Sequence, residues 1–174
     1  MAEEKKEKWL NWLALTTLIF SGAATLASFK GGGYGSTAMM SQNLASDQWA
    51  FYQAKSIKQH TYEMQREALE LQALSAPEPA QEKFKETVDR YGKQVDRYKA
   101  EKADIEKMAR EHEKTKAASQ RYAGIFGVAV LYLQVSIMLA ALSALLKKPL
   151  LWIAGFVPGL AGLVYFANRF LLWF

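Results

Sequence analysis

The chain has 174 residues, a net charge of +5 and no cysteine, and its mean hydropathy lies near zero. That length suits one modest domain, and the lack of cysteine excludes disulfides, thiolate metal sites and cysteine nucleophiles. Residues 30–121 hold 16 basic and 14 acidic side chains, so the charge is mixed rather than gathered into the one-signed patch a nucleic-acid surface requires.

The apolar residues are concentrated at the two ends. Residues 9–29 (WLNWLALTTLIFSGAATLASF) carry no charge, and neither do residues 122–146 (YAGIFGVAVLYLQVSIMLAALSALL). After Lys147, Lys148 and Pro149 comes LLWIAGFVPGLAGLVYFAN, followed by Arg169. Each run supplies the ~20 apolar residues needed to cross a hydrocarbon core of ~30 Å. The expected fold is an all-α membrane protein, with three transmembrane helices and a long antiparallel coiled-coil hairpin between the first and second. The first run, behind Lys5, Lys6 and Lys8, is longer than a typical signal core and reads as an uncleaved anchor. Residues 1–30 thus form the tail and first span, 122–146 the second, 147–149 a short loop and 150–174 the third.

Between the spans, GGGYG (Gly31 to Gly35) reads as a flexible joint. A potassium-filter reading lacks the pore helix before it, and a phosphate-loop reading lacks the strand and the lysine. Residues 36–121 read as a helical hairpin with arms 36–76 and 80–121, turned at 77–79 by Pro77 and Pro79. Each arm would be ~60 Å long at 1.5 Å per residue. VDRY occurs twice, seven residues apart, within a heptad seam of Phe84, Val88, Tyr91, Val95, Tyr98 and Ile105. On the first arm Ala50, Ile57, Met64 and Leu71 share that spacing, with Ala54, Thr61, Ala68 and Ser75 four behind each. Folding about Glu78 sets Leu71 near Phe84 and Ile57 near Tyr98. Asp89 with Lys93 and Glu86 with Arg90 have the spacing of helix-surface ion pairs.

The arms differ in charge, with 7 charged residues among 36–76 and 21 among 80–121. Arm one also carries Leu44, Phe51, Tyr62 and Leu69 away from the expected seam, together with Trp49, Tyr52 and Lys55. These seven are the expected oligomer or partner interface. Near the membrane end, Asn43, Asp47, His112 and Lys116 replace apolar seam residues. They read as a polar layer that fixes register, with a proton- or ion-sensitive element as the sharper alternative. His60 and His112 fall at different levels of the hairpin, so no metal site is expected. No nucleophile, base and orienting group stand at readable spacing, so neither catalysis nor a cofactor is expected.

Within the spans, Gly155 and Gly159 form a GxxxG, and Ser136, Ala140 and Ala144 form a small-residue ridge, both suited to close helix packing. Gln134 has the chemistry to bond across helices, and Pro158 to kink the third. Arg169, Trp173 and Phe174 suit an interfacial anchor. The lysines at 5, 6, 8, 147 and 148 place the short segments in the cytoplasm and the hairpin on the extracytoplasmic side.

The stretch SDQWAFYQAKSIKQH (Ser46 to His60) resembles the signature of a bacterial membrane-protein family catalogued as domain of unknown function 4337. WLNWLALTT and the C-terminal apolar pair are similar to that family too. The resemblance implies the three-span, long-hairpin layout and a bacterial inner-membrane location, and it carries no biochemical role. The expected partners are the lipid bilayer, further copies of the chain and another membrane protein. The expected function is a self-associating scaffold or structural assembly. The alternatives are an oligomeric channel or transport assembly around a central path, and an accessory subunit docked on a larger membrane complex.

Overall fold

The computed structural model describes residues 2–171, and the side chains of 8–168. The side-chain roles expected at Lys5, Lys6, Arg169, Trp173 and Phe174 lie outside the described residues. Among the described residues three α-helices follow in order: α1 (Ala2–Leu74), α2 (Glu78–Leu146) and α3 (Pro149–Leu171). All three are long and apolar enough over part of their length to cross a membrane.

The helix boundaries follow from the breakers. After α1 the chain turns at Ser75 and Ala76, whose amides donate to the carbonyls of Gln72 and Ala73 at 3.2 and 3.3 Å. Pro77, without an amide hydrogen, cannot extend the helix. Its carbonyl accepts from Ala80 at 2.8 Å and so starts α2, while the Gln81 side-chain amide donates back to the Ala76 carbonyl at 2.9 Å. At the second turn Lys147 takes a left-handed φ of 54°. The amide of Lys148 donates to the Ser143 carbonyl at 3.1 Å and that of Lys147 to Ala144 at 3.4 Å. This is a Schellman closure, in which a left-handed residue lets the chain satisfy carbonyls the helix would leave open. Pro149 then occupies the first turn of α3, where a missing amide hydrogen costs nothing.

The chain forms two compact units, residues 1–38 with 117–174, and residues 39–116. In the first, α1, α2 and α3 pack around two small cores. One joins Phe20, Ala23, Ala24 and Leu133, with Ile137, Phe156 and Leu163 against it. The other joins Ala27, Phe126 and Ala129, with Tyr34, Val130 and Phe166 against it. Close approach depends on α3 glycines. A Cβ on Gly159 would stand 2.5 Å from the Phe20 ring and 2.7 Å from Ser136 Oγ, and one on Gly155 would stand 3.3 Å from the Ser136 carbonyl. Gly162, which the sequence reading did not single out, would meet Leu133 at 2.8 Å. The Trp152 indole donates to Thr16 Oγ1 at 3.0 Å and ties α3 to α1. Gln134 is exposed, and among the described residues it makes no cross-helix hydrogen bond. Pro158 lies inside α3, and the helix continues through it.

The glycine joint is corrected. Residues 31–35 are helical, in the middle of α1. Glycine lowers helix stability by about 1 kcal/mol per residue relative to alanine without forbidding the helix, and no proline interrupts this stretch. Gly31 has a packing reason, because a Cβ there would lie 3.0 Å from the Phe126 Cβ, whereas one on Gly32, Gly33 or Gly35 would meet nothing within 4 Å. Gly33→Ala is therefore expected to raise the thermal midpoint, by a stabilisation of about 1 kcal/mol. Gly159→Val is expected to lower it, by about 1–3 kcal/mol of overpacking. Circular-dichroism melts of the full chain in detergent check both. A flexible joint would leave the alanine variant unchanged.

Candidate functional site

Residues 39–116 form the hairpin unit: arm one is residues 39–74 of α1, and arm two is residues 78–116 of α2. On arm two the seam lies where the heptads put it. Val95 and Ala109 are buried, and Phe84, Val88, Tyr91, Tyr98 and Ile105 are half-buried.

Arm one presents a different face from the one its most apolar heptad predicts. Ser41, Ala45 and Gln59 are its buried residues, and Trp49, Tyr52, Lys55, Tyr62 and Leu69 are half-buried beside them. Ile57, Met64 and Leu71, expected in the seam, are 68%, 64% and 69% exposed, and Ala50, Ala54, Thr61, Ala68 and Ser75 are exposed with them. The levels are as expected: Tyr62 meets Tyr91 and Lys55 meets Glu101, so the fold point is close to Glu78. The rotation of arm one about its own axis is what differs.

The physical reason is the chemistry facing arm one. Tyr62 packs edge-on against Tyr91 at 5.2 Å between ring centres and stacks on Tyr98 at 5.9 Å. Lys55 Nζ lies 2.5 Å from Glu101 Oε2, which is closed to solvent, and 5.3 Å from the Tyr98 ring centre. Lys102 lies 4.7 Å over the Tyr52 ring and donates to Gln59 Oε1 at 3.3 Å. Gln59 in turn donates to Glu63 at 2.8 Å, and the Trp49 indole donates to Glu113 at 2.9 Å. Arm two offers rings, ammonium groups and carboxylates, which aliphatic side chains cannot satisfy. Tyr, Gln, Lys and Trp satisfy them, through cation–π contacts and hydrogen bonds.

Of the seven residues expected to meet a partner, Trp49, Tyr52, Lys55 and Tyr62 thus contact arm two. Leu44 and Leu69 are half-buried, and Phe51 remains 60% exposed. The expected polar layer is not brought together. Asn43 and Asp47 are exposed, His112 and Lys116 are half-buried, and among the described residues no hydrogen bond or ion pair joins any two of the four. Nor do Asp89 with Lys93 or Glu86 with Arg90 pair; Arg90 lies over the Tyr91 ring instead, at 5.7 Å.

The ion pairs shift their own titrations. The Lys55 ammonium, hydrogen-bonded to Glu101, and the Arg97 guanidinium, 2.7 Å from it, hold the Glu101 carboxyl below the ordinary 4.5. The Gln59 amide, with His60 3.0 Å away, lowers Glu63 in the same way. Hydrogen bonds to Glu101 and Glu106 raise Arg97 and Arg110. A depressed carboxylate stabilises the folded state above its unfolded pKa, and that contribution is lost as pH falls through the folded value.

The site is therefore a pair of opposite faces on arm one. A polar and aromatic face is closed by arm two, and an apolar heptad face is left open. The family described as Domain of unknown function (DUF4337) matches residues 9–172. Comparison with curated proteins and with solved structures gives no match.

Tyr62→Ala is expected to destabilise the hairpin by about 1–3 kcal/mol through two lost ring contacts, and Met64→Ala to change hairpin stability by less than about 0.5 kcal/mol, both read by urea unfolding. The melting midpoint is expected to fall as pH drops below 4.5, and Glu101→Gln to flatten that dependence; an unchanged slope in the variant would remove Glu101 from the hairpin's acid response.

Proposed function

The chain belongs to the DUF4337 family, and we propose that it is a non-enzymatic, membrane-anchored scaffold that associates with itself through the helical hairpin. Anchoring in a bacterial inner membrane is supported by the three apolar helices and by the outward faces of the first unit. There Leu18, Phe29, Met138, Leu145 and Val157 are between 68% and 80% exposed. Side chains of this kind facing outward around a buried core suit acyl chains better than water. The proposed orientation keeps Lys8, Lys147 and Lys148 in the cytoplasm and the hairpin on the extracytoplasmic side.

The observation that carries the scaffold reading is the apolar stripe of arm one. Ile57, Met64 and Leu71 recur every seven residues with small residues between them, on a face arm two does not cover. Seven-residue spacing is what a helix needs to keep contact with another helix along its length. An aqueous surface gains nothing from it.

Light scattering of the full chain with detergent mass subtracted is expected to give a multiple of 19.6 kDa. Ile57→Glu combined with Met64→Glu is expected to weaken association at least about tenfold, or ~1.4 kcal/mol, while helix content is kept. A monomer at working concentrations for the unaltered chain would overturn the proposal.

A further inference from the structure

We infer that the occupant of the open stripe is the same stripe of a second copy, with the two first arms parallel and in register and the two second arms outermost. This rests on the self-association proposed above and adds the partner surface and its direction. The stripe has Ala50, Ile57, Met64 and Leu71 at one heptad position and Ala54, Thr61, Ala68 and Ser75 at the other. It runs ~38 Å along one helix at 1.5 Å per residue. In parallel register Ile57 meets Ile57, Met64 meets Met64 and Leu71 meets Leu71, giving three apolar layers two turns apart.

Charge along the flanks identifies the partner. The residues beside the stripe are Phe51, Lys58, Gln65 and Gln72 on one side and Gln53, His60, Glu67 and Leu74 on the other. In the parallel arrangement Gln53 of one copy faces Lys58 of the other, His60 faces Gln65, and Glu67 faces Gln72. No like charges meet, and an amide stands in every pair. Lys58, His60 and Glu67 are the ionisable groups on these flanks, and in parallel register each faces an amide of the other copy, so the chain's own flanks fit one another. Phe51 and Leu74, 60% and 82% exposed, extend the apolar area at the two ends of the same face.

Direction follows from anchoring. Copies inserted in one bilayer share one orientation, so their first arms run the same way. The arm-two contact leaves the stripe free: Gln59, in the closed face, lies two residues from Ile57, which is roughly 160° around the helix. A two-fold axis along the stripe then brings the first arms together and leaves the charged second arms in water, with no overlap between the two contacts of arm one.

The chain has no cysteine, so single-cysteine variants report the arrangement directly. Ile57→Cys and Leu71→Cys are made separately in the full chain. Each is oxidised in its native membrane, and the disulfide-linked dimer is measured on non-reducing gels. Both positions are exposed, and helix content of each purified variant is checked by circular dichroism. The expected result is at least about tenfold more dimer at each position than for Lys93→Cys on arm two, because parallel register brings like positions within disulfide reach, ~7 Å between Cα atoms. Cross-linking only when the two variants are mixed would mean antiparallel pairing centred on Met64, and would overturn the inference. No cross-link in any combination, with light scattering still giving a multiple of the chain mass, would overturn it and leave self-association standing. A monomer by light scattering would overturn both.

Discussion

Which face of arm one arm two covers is decided by the fit of Tyr62 against Tyr91 and Tyr98, with Lys55 meeting Glu101 one level below. Arm two is dense in charge, and beside the aliphatic carbon of Val88, Val95, Ile105 and Ala109 it turns phenol rings, an ammonium and a carboxylate toward arm one. An isoleucine set against Glu101 would remove the Lys55 cation and leave the shielded oxygen facing aliphatic carbon, with Arg97 still held by the other oxygen, a loss that a single apolar contact does not offset. Once the polar face of arm one is taken up in this way, the apolar heptad has to point away. The open stripe is thus a consequence of the internal contact. The same residues cannot serve both.

The first unit is held by different forces. Its contacts are ring on ring and glycine against side chain, with Phe20 edge-on to Phe156 at 6.1 Å and Tyr132 stacked on Tyr165 at 6.0 Å. Small residues at 155, 159 and 162 let α3 approach Ser136 and Leu133 closely. In a bilayer, where apolar surface is equally content against lipid, such close van der Waals contact is the main source of helix association. The indole of Trp152 adds a hydrogen bond to Thr16, which a lipid environment does nothing to replace.

Much of this was legible in the sequence, and the limits have physical causes. Prolines at 77, 79 and 149 marked both turns, because a missing amide hydrogen is a local fact. The level of pairing follows from the turn, so Lys55 over the Tyr98 ring differs little from the expected match of Ile57 with Tyr98. The seam of arm two was legible because its apolar heptad is also its buried one. The seam of arm one was not. It carries two heptads of different chemistry, and hydrophobicity alone points to the one that arm two leaves exposed. A signal was present: the charges and tyrosines of arm two called for Tyr52, Lys55, Gln59 and Tyr62 in return. The polar layer at Asn43, Asp47, His112 and Lys116 failed for the same reason, since Asn43 and Asp47 were placed on a face that is not turned inward. The glycine run misled because glycine's helix penalty is small enough for a long helix to absorb.

The inversion of chemistry between the two faces bears on why the chain keeps both. A hairpin closed by its own apolar heptad would be complete alone, with a polar outside and no reason to meet another copy. Closing it with rings and ion pairs supplies a contact that is directional and specific to this register, since each charged or aromatic group accepts few substitutes. The apolar heptad, which is non-directional, is then left for the proposed association, where burial rather than geometry would supply the driving force. Alanine, threonine and serine between the large residues keep that stripe from being continuously apolar. Together with its amide flanks, this restrains indiscriminate sticking in a segment that cannot hide its own surface. In the proposed assembly, folding and association fall on opposite sides of one helix, and a substitution on either side is expected to report on one process with little effect on the other.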